Sequence, residues 1–529
     1  MDHLRRLYRR RVSPDLLVSP ELARELTELS QEIGRQIGVL LDRAGQVTSV
    51  IVGDHRALVL PDMGRQRGGL TRLNGLRLVH THLSDEGLTQ DDLNDLALLR
   101  LDMIAALTVG PDGLPARIEA SHLLPANAGG QTLAHYASPT VSGLTLDFAA
   151  QIRSIEEELT RTQKVAKRTG SQDQALLVSV SALSRAEAED QLDEMEELGR
   201  TAGLEVLDKV LFRRRSGRSS HFLSRERLSE LIIRAFQLGA DLIVFAQDLS
   251  PAEISWLSKQ SELRIIDRTQ LILDIFAQRA RSREGKIQVE MAQLNYLYPR
   301  LVKKDTALSR LAGGIGGRGP GETRLEVDRR RVRERIDRLK KDLAQIKAQR
   351  ARHRDRRDRE GLPIVSIIGY TNAGTSTLLN NLTRSQVLAE DRLFATLDPT
   401  SRRLKFPRDR AIIITDTVGF IRDLPPDLVE AFAATLEELS SADLLLHVID
   451  VSNPRFEDQM AAVNRLLTDL DLDQIPVLPV LNKIDRVPPE MVDALSRRLK
   501  AVAVSALNPT TFPPLVSELE QRLPWPDAR

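Results

Sequence analysis

Along the chain, short apolar runs bounded by turn residues alternate with stretches whose apolar positions recur every three or four residues. The first pattern predicts strands and the second amphipathic helices. In residues 1–165, the runs at 37–41 and 47–52 predict two strands about a turn at 42–46. A third run, 76–79, ends at His80. Ser19, Pro20 and Glu21 predict a helix start, with Ser19 as N-cap and Pro20 at the first helical position.

Residues 174–310 repeat a strand–helix alternation. Strands are predicted at 175–180, 242–246 and 263–266, with helices at 186–202 and 271–283. Strands separated by helices argue for a parallel sheet. Residues 311–360 differ in kind. The run GGIGGRGPG at 313–321 has six glycines in nine residues. After it Leu325, Val332, Ile336, Leu339, Leu343 and Ile346 recur at helical spacing, which predicts a charged helix pair with this stripe packed on a neighbour. In 361–529, strands at 364–368, 411–415, 444–449, 477–481 and 502–504 alternate with helices, the pattern of a doubly wound α/β domain.

Composition narrows the class. At roughly 100–200 residues per domain, 529 residues predict about three to five domains. With 41% apolar and 28% charged residues the chain is not disordered overall, and at 4% aromatic its cores are aliphatic. The absence of cysteine excludes disulfides, thiolate zinc sites, Fe–S clusters and Cys nucleophiles. The basic start MDHLRRLYRRR is followed by no apolar stretch, and no window approaches the ~20 apolar residues of a membrane span. The expectation is a cytoplasmic monomer without a membrane span. Residues 324–360 carry 16 Lys/Arg against 8 Asp/Glu, a net of +8, while the rest of the chain nets −7. Such a block reads as a solvated helix face or a nucleic-acid contact.

The chemistry concentrates at strand ends in the last region. The strand at 364–368 leads into Gly369, Tyr370, Thr371, Asn372, Ala373, Gly374, Thr375 and Ser376, then into a helix. A glycine loop at a helix start curls backbone N–H groups around phosphate oxygens, with Ser376 in the hydroxyl position that ligates Mg2+. Alone, this could be only a tight turn. Asp416, Thr417, Val418 and Gly419 follow another apolar strand, placing a carboxylate for water-mediated Mg2+ contact and an N–H for a γ-phosphate. Asn482, Lys483, Ile484 and Asp485 end a further strand; Asp485 can accept from the two donors that guanine presents and adenine lacks. Ser505, Ala506 and Leu507 supply a fourth loop. Four motifs in order, each after an apolar strand, predict a GTP/GDP site with Mg2+.

With these motifs, residues 361–529 resemble a TRAFAC-class GTPase domain. The segments GGIGGRGPGETRLEVDRRR, DRTQLILDIFAQRA, QLNY, LFATLDPT and DTVGFIRDLP are similar to the HflX family of ribosome-associated GTPases. The resemblance covers about 174–529. It implies a doubly wound P-loop GTPase domain at 361–529, preceded by an α/β HflX domain at 174–310 and a Gly-rich loop with helical hairpin at 311–360. An extra α+β module occupies 1–165. It implies GTP binding and hydrolysis, and action with the rRNA of the large (50S) ribosomal subunit in translation, biogenesis, or rescue and splitting of stalled ribosomes. Association with ribosomes or a membrane surface is expected. In the switch segment Phe394, Ala395, Thr396, Leu397 and Asp398 would line the nucleotide, with Thr396, or less favourably Thr400, as the second Mg2+ ligand. Thr375, Thr396, Gly419 and Phe420 are the candidate catalytic positions. Phe420 stands where many GTPases carry a water-orienting Gln, so hydrolysis should be slow without a partner. A purely packing role for Phe420 stays open. Arg350, Arg352, Arg354, Arg356, Arg357 and Arg359 lack interleaved aromatics, which favours rRNA phosphate contact over base stacking; a solvated linker is the alternative.

Two departures from the family stand out. The phosphate loop reads GYTNAGTST, with Thr375 in place of the family lysine. A natural weakened GTPase, an engineered loop variant, and a cation supplied from elsewhere are all consistent with this. A nucleotide-gated rRNA-binding protein without effective hydrolysis is the functional alternative. The second departure is the 1–165 extension, where His80, His82, Thr89 and Asp92 resemble the His-x-His…Ser-x-x-Asp pattern of MPN-type metallopeptidases in degenerate form. One residue is missing from the spacing, Thr replaces Ser, and Arg35 or Gln36 stands where a catalytic Glu is expected. A strand carrying two surface histidines is the competing reading.

Overall fold

The computed structural model describes residues 2–60, 73–127, 129–167, 173–214, 222–260, 263–301, 324–358, 362–383, 400–406, 411–416, 419–420 and 439–525. The glycine run 313–321, the switch residues Phe394, Ala395, Thr396, Leu397 and Asp398, and Thr417 and Val418 lie outside them, as do the side chains of the arginine cluster. The chain forms two compact units, Met1–Met195 with Gly203–Asp267, and Glu196–Ala202 with Arg268–Arg529.

The first unit holds two sheets. Its elements begin with α1 (Asp2–Leu7) and α2 (Pro20–Ile33), followed by β1 (Ile37–Asp42), β2 (Val47–Val52), β3 (Leu76–His82) and α3 (Gln90–Leu98). Then come β4 (Met103–Val109), β5 (Pro115–Leu123), β6 (Leu133–Ser138) and α4 (Phe148–Lys167). The sheet order is β2-β1-β3-β4-β5-β6, antiparallel except for the parallel pair β3 and β4. Ser19 caps α2 by accepting from the Leu22 N–H, and Gly34 ends it in the left-handed conformation at φ 67. Leu22, Ala23 and Leu26 of α2 are buried with Val39, Leu41, Ile104 and Leu107 of the sheet. The run at 76–79 was expected to end at His80. Instead β3 continues through His82 and is buried along its whole length, because it lies inside the sheet rather than at an edge.

The second sheet is parallel, as the strand–helix alternation predicted, in the order β10-β9-β7-β8. Its strands are β7 (Gln174–Ser181), β8 (Glu205–Arg213), β9 (Leu242–Phe245) and β10 (Arg264–Asp267), with α5 (Arg185–Ala202), α6 (Arg225–Leu238) and α7 (Pro251–Gln260) between them. Leu98 of α3 belongs to this core, and Phe236 of α6 to the first one.

The second unit opens with α8 (Arg268–Arg279), α9 (Arg283–Leu301) and α10 (Arg324–Asp358). A single helix over 271–283 was expected. The chain breaks instead at Ser282, whose Oγ accepts from the Gly285 N–H and starts α9. The helix pair was placed within 311–360; its first arm is in fact α9, upstream of the glycine run. Ile287 and Met291 of α9 pack on Leu339 of α10, and Arg335 makes a two-pronged ion pair with Glu290 at 2.7 and 2.8 Å. Tyr298 meets Arg333, so the helices run antiparallel.

The third sheet is the doubly wound domain, in the order β12-β13-β11-β14-β15-β16. It comprises β11 (Ile364–Gly369), β12 (Thr400–Lys405), β13 (Ala411–Asp416), β14 (Leu444–Asp450), β15 (Val477–Asn482) and β16 (Val502–Ala503). Helices α11 (Thr375–Thr383), α12 (Phe456–Asp469), α13 (Pro489–Leu499) and α14 (Pro513–Arg522) complete it. All neighbours are parallel except β12, which runs antiparallel on the edge beside β13. Among the described residues, no helix is long and apolar enough to cross a membrane.

Candidate functional site

The site forms at the C-terminal ends of β11, β13 and β15, where a doubly wound sheet places its ligands. The chain leaves β11 at Gly369 and turns through Asn372 at φ 64 and Gly374 at φ 94 before α11 begins at Thr375. Ala373 N donates to Tyr370 O at 3.0 Å, which curls the loop, and Leu378 N donates to Gly374 O at 2.9 Å, which starts the helix. A side chain at Gly374 would meet Asn482 Nδ2 at 2.3 Å, so both the conformation and the space require glycine.

Two neighbouring segments fix this loop. Phe420 N donates to Gly369 O at 3.0 Å, and Thr371 N donates to Phe420 O at 2.7 Å. Phe420 is thereby buried in a parallel bridge to Tyr370, with Gly419 packed against Thr371. On the other side Asn482 donates from Nδ2 to Ala373 O at 2.7 Å and accepts at Oδ1 from Ala506 N at 2.8 Å. One buried amide therefore ties three loops, 369–376, 482–485 and 505–507, into one body.

Ser376 and Asp416 meet directly. The Ser376 hydroxyl donates to Asp416 Oδ2 at 2.6 Å, and both residues are buried. Oxygen donors so placed fit Mg2+, which takes hard oxygen ligands and keeps several waters. Thr375 sits half-buried at the first position of α11.

At the base end, Asp485 is exposed and its Oδ1 accepts from the Ser505 Oγ at 2.6 Å. That bond aims the carboxylate from the 505–507 loop. Lys483, at φ 59, pairs with Asp450 Oδ2 at 2.7 Å, while Leu507 is 72% exposed. Ile484 begins the short turn that carries Asp485.

Three supporting residues were missed in the sequence. Asp450 closes β14 beside the site, Asn381 donates to Ala506 O at 2.6 Å, and the Ser505 N–H donates to Thr511 Oγ1 at 3.0 Å. Only Asp450 left a trace in the sequence, as a polar residue ending an apolar strand. The other two come from helix interior and loop, where nothing in the local pattern marks them.

Comparison with known proteins matches three family regions in chain order. They are a GTP-binding GTPase N-terminal region at 189–277, a GTP-binding GTPase middle region at 279–357, and a 50S ribosome-binding GTPase domain at 364–483. The GTPase HflX of Caldanaerobacter subterraneus subsp. tengcongensis is 46% identical over 353 residues, 67% of this chain and 82% of that one. The GTPase HflX of Escherichia coli K12 is 44% identical over 354 residues, 66% of this chain and 83% of that one. A solved GTP-binding protein from Sulfolobus solfataricus in complex with GDP covers 66% of this chain and 98% of its own, at 23% identity and a TM-score of 0.36. The identity and coverage of the first two place the chain by sequence, and the ordered regions agree: the chain belongs to the HflX family of GTPases.

Proposed function

We propose that this GTPase works on the large ribosomal subunit, in translation, in ribosome biogenesis, or in the rescue or splitting of stalled ribosomes, with its nucleotide site weakened by Thr375. The observation that carries this reading is the junction at Asn482, which joins a phosphate loop and a guanine loop into one nucleotide-shaped cradle. The 50S ribosome-binding GTPase match over residues 364–483 supports the ribosomal role.

In this reading, backbone N–H groups of Asn372, Gly374, Thr375 and Ser376 hold the phosphates at the start of α11, and Ala373, whose N–H bonds Tyr370 O, keeps the loop curled around them. Ser376 and Thr396 would hold Mg2+, with Asp416 beside Ser376 to accept from one of its waters, and the ion would supply charge neutralisation to the phosphates. The Gly419 N–H senses the γ-phosphate, and the family resemblance adds Thr417 and Val418 to the expected nucleotide contacts. Asp485 reads guanine, with Ser505 holding its carboxylate and Ala506 and Leu507 flanking the base. The family resemblance adds Phe394, Ala395, Thr396, Leu397 and Asp398 to the residues expected to contact the nucleotide. Buried Phe420 offers no group to orient water, so a ribosomal partner supplies it. The protein acts in the cytoplasm as a monomer. A membrane-surface location has no support in the fold or the relatives. The relatives' name as GTPases favours hydrolysis over a binding-only protein.

Single-turnover phosphate release, with and without purified large subunits, tests this. The expected outcome is slow release alone and marked stimulation by subunits. Absence of release with subunits present, or equal binding of ATP and GTP, would sink the proposal.

A further inference from the structure

A second convergence of ligand-type atoms lies in the N-terminal sheet, apart from the nucleotide chemistry. β3 ends in His80, Thr81 and His82, and residues two apart on a strand face the same side. The turn after it leads to Thr89, which caps α3. Asp92 sits at the third helical position and completes a capping box. Its Oδ2 accepts from both the Thr89 N–H and the Thr89 hydroxyl at 2.7 Å, which fixes the carboxylate and leaves Oδ1 turned toward the histidines.

The three side chains meet at one point. His80 Nε2 lies 2.9 Å from His82 Nε2 and 3.0 Å from Asp92 Oδ1. His80 is 0% and His82 2% exposed, and the Nδ1 atoms of both rings are buried without a hydrogen-bond partner. The Nε2 atoms of both rings instead face each other and the Asp92 carboxylate. One proton at most fits between the facing nitrogens, and it cannot serve both the second ring and the carboxylate well. A cation at the centre would satisfy all three. Tetrahedral zinc with Zn–N of about 2.0–2.1 Å needs its nitrogens roughly 3.3 Å apart, so the cluster has to open by only a few tenths of an ångström.

One side of the cluster is open. A cavity of about 980 Å³ is lined by His82 and Asp92 together with Gln36, Glu86, Asp95 and Trp256. The register pairs Gly38 with His80, which sets Gln36 opposite His82 across the β1–β3 ladder. Gln36 is 2% exposed, and its neutral amide can hydrogen-bond a ligand in the cavity without taking a proton from it.

We infer that His80, His82 and Asp92 hold one divalent transition-metal ion of the zinc type, with a coordination position open to the cavity for an oxygen- or nitrogen-donor ligand. Two His and one carboxylate with an open position is a donor set that zinc uses. The site is independent of the nucleotide chemistry and stands or falls apart from it.

The test uses full-length protein stripped with chelator, with excess Mg2+ present to occupy the nucleotide site. Zinc titration by calorimetry, with metal analysis after desalting, is expected to give one equivalent per chain. His82→Asn and Asp92→Asn are each expected to weaken uptake by at least roughly tenfold. Co2+ loaded into the unmodified protein reports without any substitution: visible d–d bands of low-symmetry coordination are expected, and added azide should shift them. Uptake well below one equivalent, uptake unchanged in both variants, or a Co2+ spectrum without such bands would overturn the metal site. Bands that azide leaves unmoved would overturn the open position.

Discussion

Thr375 opens α11 where the family sequence has lysine, and its surroundings make a direct experiment possible. The backbone loop, Ser376 and Asp416 are all in place, and the first helical position accepts either side chain. Thr375→Lys adds a point charge to an otherwise complete cradle. A charged hydrogen bond contributes about 1.5–3 kcal/mol, so GTP affinity should rise roughly ten- to a hundredfold. Turnover should rise further, because the charge acts mainly on the transition state. Nucleotide titration and ribosome-stimulated phosphate release read both effects; identical behaviour would mean that another cation already reaches the phosphates. Asp485→Asn should move preference from guanine toward xanthine nucleotides, because the amide offers a donor to the xanthine O2, and competition binding between GTP and XTP measures it. Gly374→Ala should abolish tight nucleotide binding, since its Cβ meets Asn482 Nδ2 at 2.3 Å in a backbone at φ 94. A titration showing unchanged affinity would contradict the fit of that loop.

At the scale of elements, the stripe on α10 is tested through its partner. Leu339 is 2% exposed against Ile287 and Met291 of α9. Leu339→Ala should cost about 2–5 kcal/mol of local stability, visible as an earlier transition in denaturant unfolding. The stripe was legible in the sequence, but its partner was not, because the pattern says that a face is covered and not by what. The motif loops were legible for a simple reason: each is a contiguous string at the end of an apolar strand. The bonds that make them one site were not, since Asn482, Ala373 and Ala506 are brought together only by strand order. β12 was missed because its TSRRLK sequence has no apolar run; it is an edge strand, and charge on an edge discourages pairing with other chains. β4 was missed for the opposite reason, since MIAALTV is apolar throughout and has no period of two to distinguish strand from buried helix.

For the molecule as a whole, pH and salt are the informative variables. His447 lies in β14 between β11 and β15, and burial alone lowers its pKa from 6.5 to about 4. The unfolded chain therefore binds this proton more readily than the fold does. The resulting stability is fully present above about pH 6.5 and is lost as pH falls toward about 4, on the order of 3 kcal/mol in total. Thermal unfolding across that window should show the loss, and His447→Leu should flatten it. In salt, replacing Arg352, Arg354, Arg356 and Arg357 with neutral residues should flatten the slope of ribosome binding by about 0.7–0.9 per lost phosphate contact. An unchanged slope would return that stretch to a solvated linker. The length of α10 gives its charge a further meaning. Its 35 residues span roughly 50 Å at about 1.5 Å per residue, several times the screening length of about 8 Å in physiological salt. Acidic groups more than about 8 Å from the helix therefore do little to cancel its field. The near-zero net charge is thus a poor guide to how the protein meets a polyanion. Encounter with a polyanion is then expected to be orientation-selective, and dilution of salt to accelerate arrival far more than it delays departure.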